Sequence, residues 1–304
     1  MKENLKLIFH LSCSSVVSSN PIERELMSVP VEIGLEMYAE KAVVLPFFTG
    51  YVARGLLLHV VRQVDPSASG LLHELNVSKP YSVTPLRFRS KSRTEGGYVL
   101  DPLFPCRVGF RFLKDEFSTL LLSFFQKQNS VLVFDTVFRI ASLSVNCKSY
   151  EELEKEAEAA DAFRLSFRSP TYFAILGSGY HWMFPDVVKV FSGLMRCWNL
   201  FSDGRRFGKE EYVAYREWLG KNVGVSEYEL WTRLAVMRSK KATGFVGWVM
   251  YEMKDKESEW NKTTCMLAKF AEFANVGGNK TGGFGVTKFA PRLRQFSKQA
   301  RGVT

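Results

Sequence analysis

His73 and Lys79 are the two side chains whose types and spacing offer a proton carrier and a fixed positive charge in one short stretch. They stand six residues apart in LLHELNVSKP, which reads as loop. A histidine changes charge near neutral pH and so can pass a proton between oxygen atoms. A lysine beside it can stabilise the charge that builds on a pentacoordinate phosphate. Next to a basic surface, the pair has the chemistry for metal-free RNA cleavage. The other three histidines read as structural. His10 alternates within a strand pattern, His59 sits on an amphipathic helix at its core or surface, and His181 lies among aromatics in GSGYHWMFP and reads as buried.

Two further segments point to a polyanion. RFRSKSR places Arg87, Arg89, Lys91 and Arg93 at every second position. Alternate residues of a strand share a face, so four cations would track phosphates along one side of a hairpin. The plain alternative is an edge strand protected by charge. GGNKTGGFG holds Gly277, Gly278, Gly282, Gly283 and Gly285 around Lys280. Glycines permit positive φ and close backbone approach, and consecutive free amides form an anion nest. The segment lacks the G-K-[ST] ending of a nucleotide-binding loop.

Composition agrees with this direction. Lys and Arg number 41 against 31 Asp and Glu, a formal charge of +10. Such a balance favours nucleic acid or an acidic surface as partner. The five cysteines, Cys13, Cys106, Cys147, Cys197 and Cys265, form no C-x-x-C pair. That argues against a zinc site or a disulfide framework and fits a reducing cytoplasm. No carboxylate or Cys/His cluster has ligand spacing, so no metal and no cofactor is expected. His10 breaks the only leader-like apolar run, and no run reaches bilayer length. No membrane partner is expected.

The elements that must position these residues follow from hydrophobic periodicity. Residues 5–12 alternate like a strand. Leu56, Leu57, Val60, Val61 and Val64 share a helical face over about 48–64, and Asp65-Pro66 breaks that helix. Residues 81–89 and 98–113 read as strands around a hairpin tip, 115–126 as a helix and 131–145 as a strand. The acidic stretch 150–161 reads as a helical linker. A second series follows: a strand at 163–169, a helix at 185–201, further helices over 208–235, a strand at 243–253, a helix at 258–274 and a last strand at 286–289. The class is therefore α+β, two tandem ferredoxin-like domains of plan β-α-β-β-α-β, residues 1–149 and 150–304. The end, KFAPRLRQFSKQARGVT, has five basic residues and no acidic one and reads as a nucleic-acid-binding tail.

Three stretches carry a resemblance. PFFTGYVARGLLLHVVRQVDPSASGLLHELNVSKPYSVTPLRF (46–88), FRLSFRSPTYF (163–173) and ANVGGNKTGGFGVTKF (274–289) resemble, in order, the Cas-six family of CRISPR endoribonucleases in the RAMP superfamily. The resemblance implies two ferredoxin-like domains. It implies metal-independent cleavage of CRISPR precursor RNA within repeats: the ribose 2′-OH attacks, leaving a 2′,3′-cyclic phosphate and a 5′-OH. Repeat RNA and the mature guide RNA are the implied partners, with an interference complex and a second copy of the chain as further candidates. Some members combine a Tyr, a His and a Lys. His73 falls on the histidine position and Lys79 on the lysine position, but Leu58 stands where the tyrosine would be. His59 and Tyr51 are nearby substitutes for that role. The competing reading is an inactive RAMP protein that only binds guide RNA within an interference complex.

Overall fold

A computed structural model describes residues 8–12, 29–74, 78–237 and 240–292, with 8–12, 73, 237 and 240 as backbone alone. The basic end beyond 292 and residues 5–7 of the first expected strand lie outside the described residues.

The first sheet is built on β2, Val31–Ala39. Its odd positions Val31, Ile33, Leu35 and Met37 are buried, while Glu32, Gly34 and Glu36 face the other way. Beside β2 run β7, Cys106–Phe112, and β9, Thr136–Cys147, both antiparallel to it. β4, Tyr81–Val83, pairs on β7, and β1, Ile8–Ser12, runs parallel to β9 at the far edge. The order β9-β2-β7-β4 is the 4-1-3-2 order of a ferredoxin-like sheet. Helices α1, Gly50–Val64, and α3, Glu116–Lys127, bury Leu56, Leu57, Val60, Phe117 and Leu121 with its inner face in one apolar core.

The second sheet repeats the order as β15-β10-β14-β13. Its strands are β10, Ala162–Thr171; β13, Val223–Met237; β14, Lys240–Met253; and β15, Thr287–Arg292. Phe163, Leu165 and Phe167 of β10 enter a second core with α5, Val187–Phe201, and α7, Glu259–Ala274. Arg164, Ser166 and Arg168 alternate onto the open face. One further helix, α6, Lys209–Asn222, is inserted between α5 and β13.

The expected α+β architecture is therefore present, with several local corrections. The strand that opens the first ferredoxin-like unit is Val31–Ala39, not 5–12. Pro85, which lacks an amide, follows closely on the second strand, which ends at Val83. Residues 98–113 divide at Pro102 and Pro105 into β6, Gly97–Leu100, and β7. β6 joins a small separate sheet with β3, Val44–Leu45, and β5, Ser90–Thr94. Residues 131–145 are a hairpin, β8, Ser130–Val133, and β9, turning where Phe134 takes a φ of 56°. Residues 223–235 are strand rather than helix. The acidic stretch opens with α4, Tyr150–Lys155, which starts in a capping box of Ser149 and Glu152 and buries Tyr150 and Leu153 in the second core. Cys106, Cys197 and Cys265 are free and buried, but Cys147 is disulfide-bonded, although the cysteine spacing argued against a disulfide framework.

Candidate functional site

The turn that carries the expected pair is built by Asp65. Its extended backbone ends α1, and its carboxylate accepts from the amides of Ser67 at 2.8 Å and Ala68 at 3.0 Å. With Pro66 in the first turn, that cap starts α2, Pro66–His73. His73 is thus the last residue of a helix rather than part of a loop. Lys79 Nζ donates to the Leu71 carbonyl at 3.0 Å, which sets a cation against the negative end of α2. The fold therefore holds Lys79 against the last turn of α2, whose backbone ends at position 73.

A groove of about 690 Å³ runs between α1 and α2, lined by Tyr51, Arg54, Leu58, His59 and Arg62 among others. Leu58 is 7% exposed and packs in the first core, so its position offers no hydroxyl. His59 is exposed, 2.7 Å from the Gln63 amide nitrogen. Tyr51 Oη accepts from Asn279 Nδ2 at 2.9 Å. Tyr81 lies deep beside Arg54 and Thr281. Burial pushes its hydroxyl above the ordinary phenol range, and the neighbouring Arg54 pulls the other way.

The glycine-rich loop forms the adjoining wall. Gly282 meets the start of α1 so closely that a Cβ on Gly50 would lie 2.0 Å from the Gly282 carbonyl oxygen. Gly285, at φ 71°, would place a Cβ 1.8 Å from the Val276 oxygen. The expected row of free amides is absent here. Gly278 donates to Tyr172, Gly282 to Asn279, Gly283 to Lys280 and Gly285 to Pro170. Gly282, Gly283 and Gly285 are buried, whereas Gly277, Gly278 and Lys280 remain at a cavity edge. Packing against α1 is thus the first demand on these glycines.

The four alternating cations separate. Arg89 lies over the Phe104 ring at 4.0 Å, Lys91 pairs with Asp101 at 3.5 Å, and Arg93 lies over Phe47 at 5.0 Å. A register shift between Ser90 and Ser92 breaks their common face. Arg87 instead bridges to Arg107 and lines a cleft between the two sheets, with Arg111, Arg168 and Lys288. Glu36 and Glu32 pair there with Arg107 at 2.6 Å and Arg111 at 2.8 Å. The cleft continues onto the open face of the second sheet. There Arg164 lies 3.8 Å over the Trp248 ring, near Trp231 and Arg233. These cations and rings escaped the sequence reading, although the alternation Arg164-Ser166-Arg168 was its visible trace. His181, expected to be buried, is exposed and stacks on Tyr172 at 3.9 Å.

Two 4-1-3-2 sheets, with a glycine-rich loop and a basic cleft between them, define a paired ferredoxin-like fold. Residues 165–287 match the family described as CRISPR-associated endoribonuclease Cas6. The fold is shared with solved structures. A Cas6 product complex aligns with TM-score 0.71 and 22% identity, over 86% of this chain and 100% of that one. Thermus thermophilus Cas6 aligns with TM-score 0.67 and 22% identity, over 86% and 99%. A RAMP protein described as binding different RNA substrates aligns with TM-score 0.54 and 15% identity, also over 86% and 99%. No curated protein sequence matches the chain. The family match lies within the second half of the chain, and the likeness of fold to Cas6 structures extends over 86% of it.

Proposed function

We propose that the chain is an endoribonuclease that cuts CRISPR precursor RNA within its repeats without a metal ion. The ribose 2′-OH at the cut site attacks the adjacent phosphorus, and the bond to the 5′ oxygen of the next nucleotide breaks. The products are a 2′,3′-cyclic phosphate and a 5′-OH. His73 moves a proton, as base to the 2′-OH or as acid to the leaving oxygen, and Lys79 stabilises the charge on the phosphorane oxygens. The observation that supports this reading is the bond from Lys79 to the carbonyl of Leu71, two residues before His73 in the chain. The basic cleft and the open face of the second sheet supply phosphate and base contacts for the rest of the strand.

The test uses labelled repeat RNA in excess EDTA, a version 2′-deoxy at the cut site, and His73→Ala. Cleavage that survives EDTA and is lost with the deoxy substitution and with His73→Ala supports the whole reading. Cleavage that persists in His73→Ala removes that residue from its role. One observation favours a second reading, an inactive guide-RNA-binding subunit: the buried Leu58 stands where the resemblance implies a tyrosine. Tight binding of cognate repeats with no cleavage would decide for it.

A further inference from the structure

Helix α6 has no counterpart in the β-α-β-β-α-β plan, and it closes one side of a cavity of about 430 Å³ against α5 and the glycine-rich loop. Lys189 and Arg196 reach it from α5, Arg216 and the Tyr212 hydroxyl from α6, and Lys280 from the loop. No carboxylate lines it. Among the described residues none of these four cations is ion-paired with an acid. Each touches an uncharged group instead. Lys189 Nζ lies 4.7 Å over Trp182, and Arg196 donates to Tyr212 Oη at 3.2 Å. Arg216 lies 5.8 Å over the Tyr212 ring, and Lys280 Nζ is 3.4 Å from Cys197 Sγ. Four cations around one recess repel each other, and an anion seated among them relieves that repulsion.

The recess adjoins the α1–α2 groove through the loop itself. Asn279 reaches Tyr51 on α1, and the next residue, Lys280, reaches Cys197 on α5. Two consecutive loop residues therefore face the α1–α2 groove and this cavity in turn. We infer that the cavity is a second phosphate subsite, which takes a backbone phosphate of the same RNA strand after it crosses the glycine-rich loop. The inference rests on the RNA-cleaving reading above. The insertion of α6 then has a function: Tyr212 and Arg216, four residues apart on one helical face, complete the anion site.

Gly193 provides a clean probe. It lies on α5 at the cavity wall, and a Cβ there would meet nothing within 4 Å. Gly193→Glu adds a carboxylate at the cavity wall where a Cβ has open space, and Gly193→Gln is its neutral match. Binding of labelled repeat RNA, 2′-deoxy at the cut site, would be measured across a salt series for wild type, both Gly193 variants and Arg196→Ala/Arg216→Ala. Loss of this one phosphate contact in the double variant lowers the salt slope by about 0.7 for a single strand. Gly193→Glu should bind more weakly than Gly193→Gln. Wild-type binding with an unchanged slope in the double variant and equal affinity of Glu and Gln overturns the subsite and leaves the cleavage reading standing. A wild type that fails to bind repeat RNA overturns both.

Discussion

Asn279 Nδ2 donates to Tyr51 Oη across 2.9 Å, joining side chains 228 positions apart in the chain. One residue belongs to the glycine-rich loop and the other to the first turn of α1. The wall of the α1–α2 groove is therefore assembled from segments far apart in the chain, and the glycines permit the approach.

Two glycine substitutions should move stability in opposite directions. Gly285→Ala forces a side chain onto a positive φ and against the Val276 carbonyl, and should cost more than about 2 kcal/mol. Gly55 lies within α1, exposed, with open space where a Cβ would go. Gly55→Ala should stabilise by about 0.5–1 kcal/mol. Denaturant midpoints decide both, and a loss for Gly55→Ala would contradict the open space beside it.

Lys79→Ala should slow single-turnover cleavage by on the order of 10²-fold or more, as loss of a transition-state charge partner does in other sites. Its effect on folding should be small, because the contact it loses is one exposed bond at a helix end. A rate within about twofold of wild type, against that expected loss, would remove Lys79 from the chemistry.

Trp248→Ala and Arg168→Ala should weaken RNA binding in different ways. Loss of the ring that carries Arg164 removes stacking worth about 1–3 kcal/mol, with little change in salt slope. Loss of Arg168 from the cleft should lower the slope by about 0.7. Identical salt slopes in both variants would argue that the cleft does not follow the backbone.

Glu272 makes stability depend on acid. Burial raises its pKa, but Lys288, the Phe289 amide and Lys269 outweigh that and hold it below the ordinary value of 4.5. A depressed carboxylate contributes stability that is present above its unfolded pKa and is lost as pH falls through the folded one. Unfolding midpoints should therefore drop as pH falls below about 4.5. Glu272→Gln, which also loosens α7 from β15, should flatten that part of the profile.

The helix α1, its break at Asp65-Pro66, the alternation of β10 and the glycine-rich loop were all legible along the chain. Each depends on neighbours a few residues away: a 3.6-residue apolar period, a proline without an amide, a two-residue alternation. β2 gives a weak signal along the chain although Val31, Ile33, Leu35 and Met37 alternate, because Gly34 and the interspersed glutamates depress strand propensity. β13 resembles a helix along the chain because a bulge between Val225 and Glu227 breaks its alternation. The chain by itself thus determined the paired ferredoxin-like plan and the short interval from His73 to Lys79. Tertiary structure alone decided that Lys79 reaches back to Leu71, that the loop glycines spend their amides on packing, and that Arg87 parts from Arg89, Lys91 and Arg93. Those outcomes depend on which surfaces meet across the fold, and contacts between distant segments leave no periodic trace in the sequence.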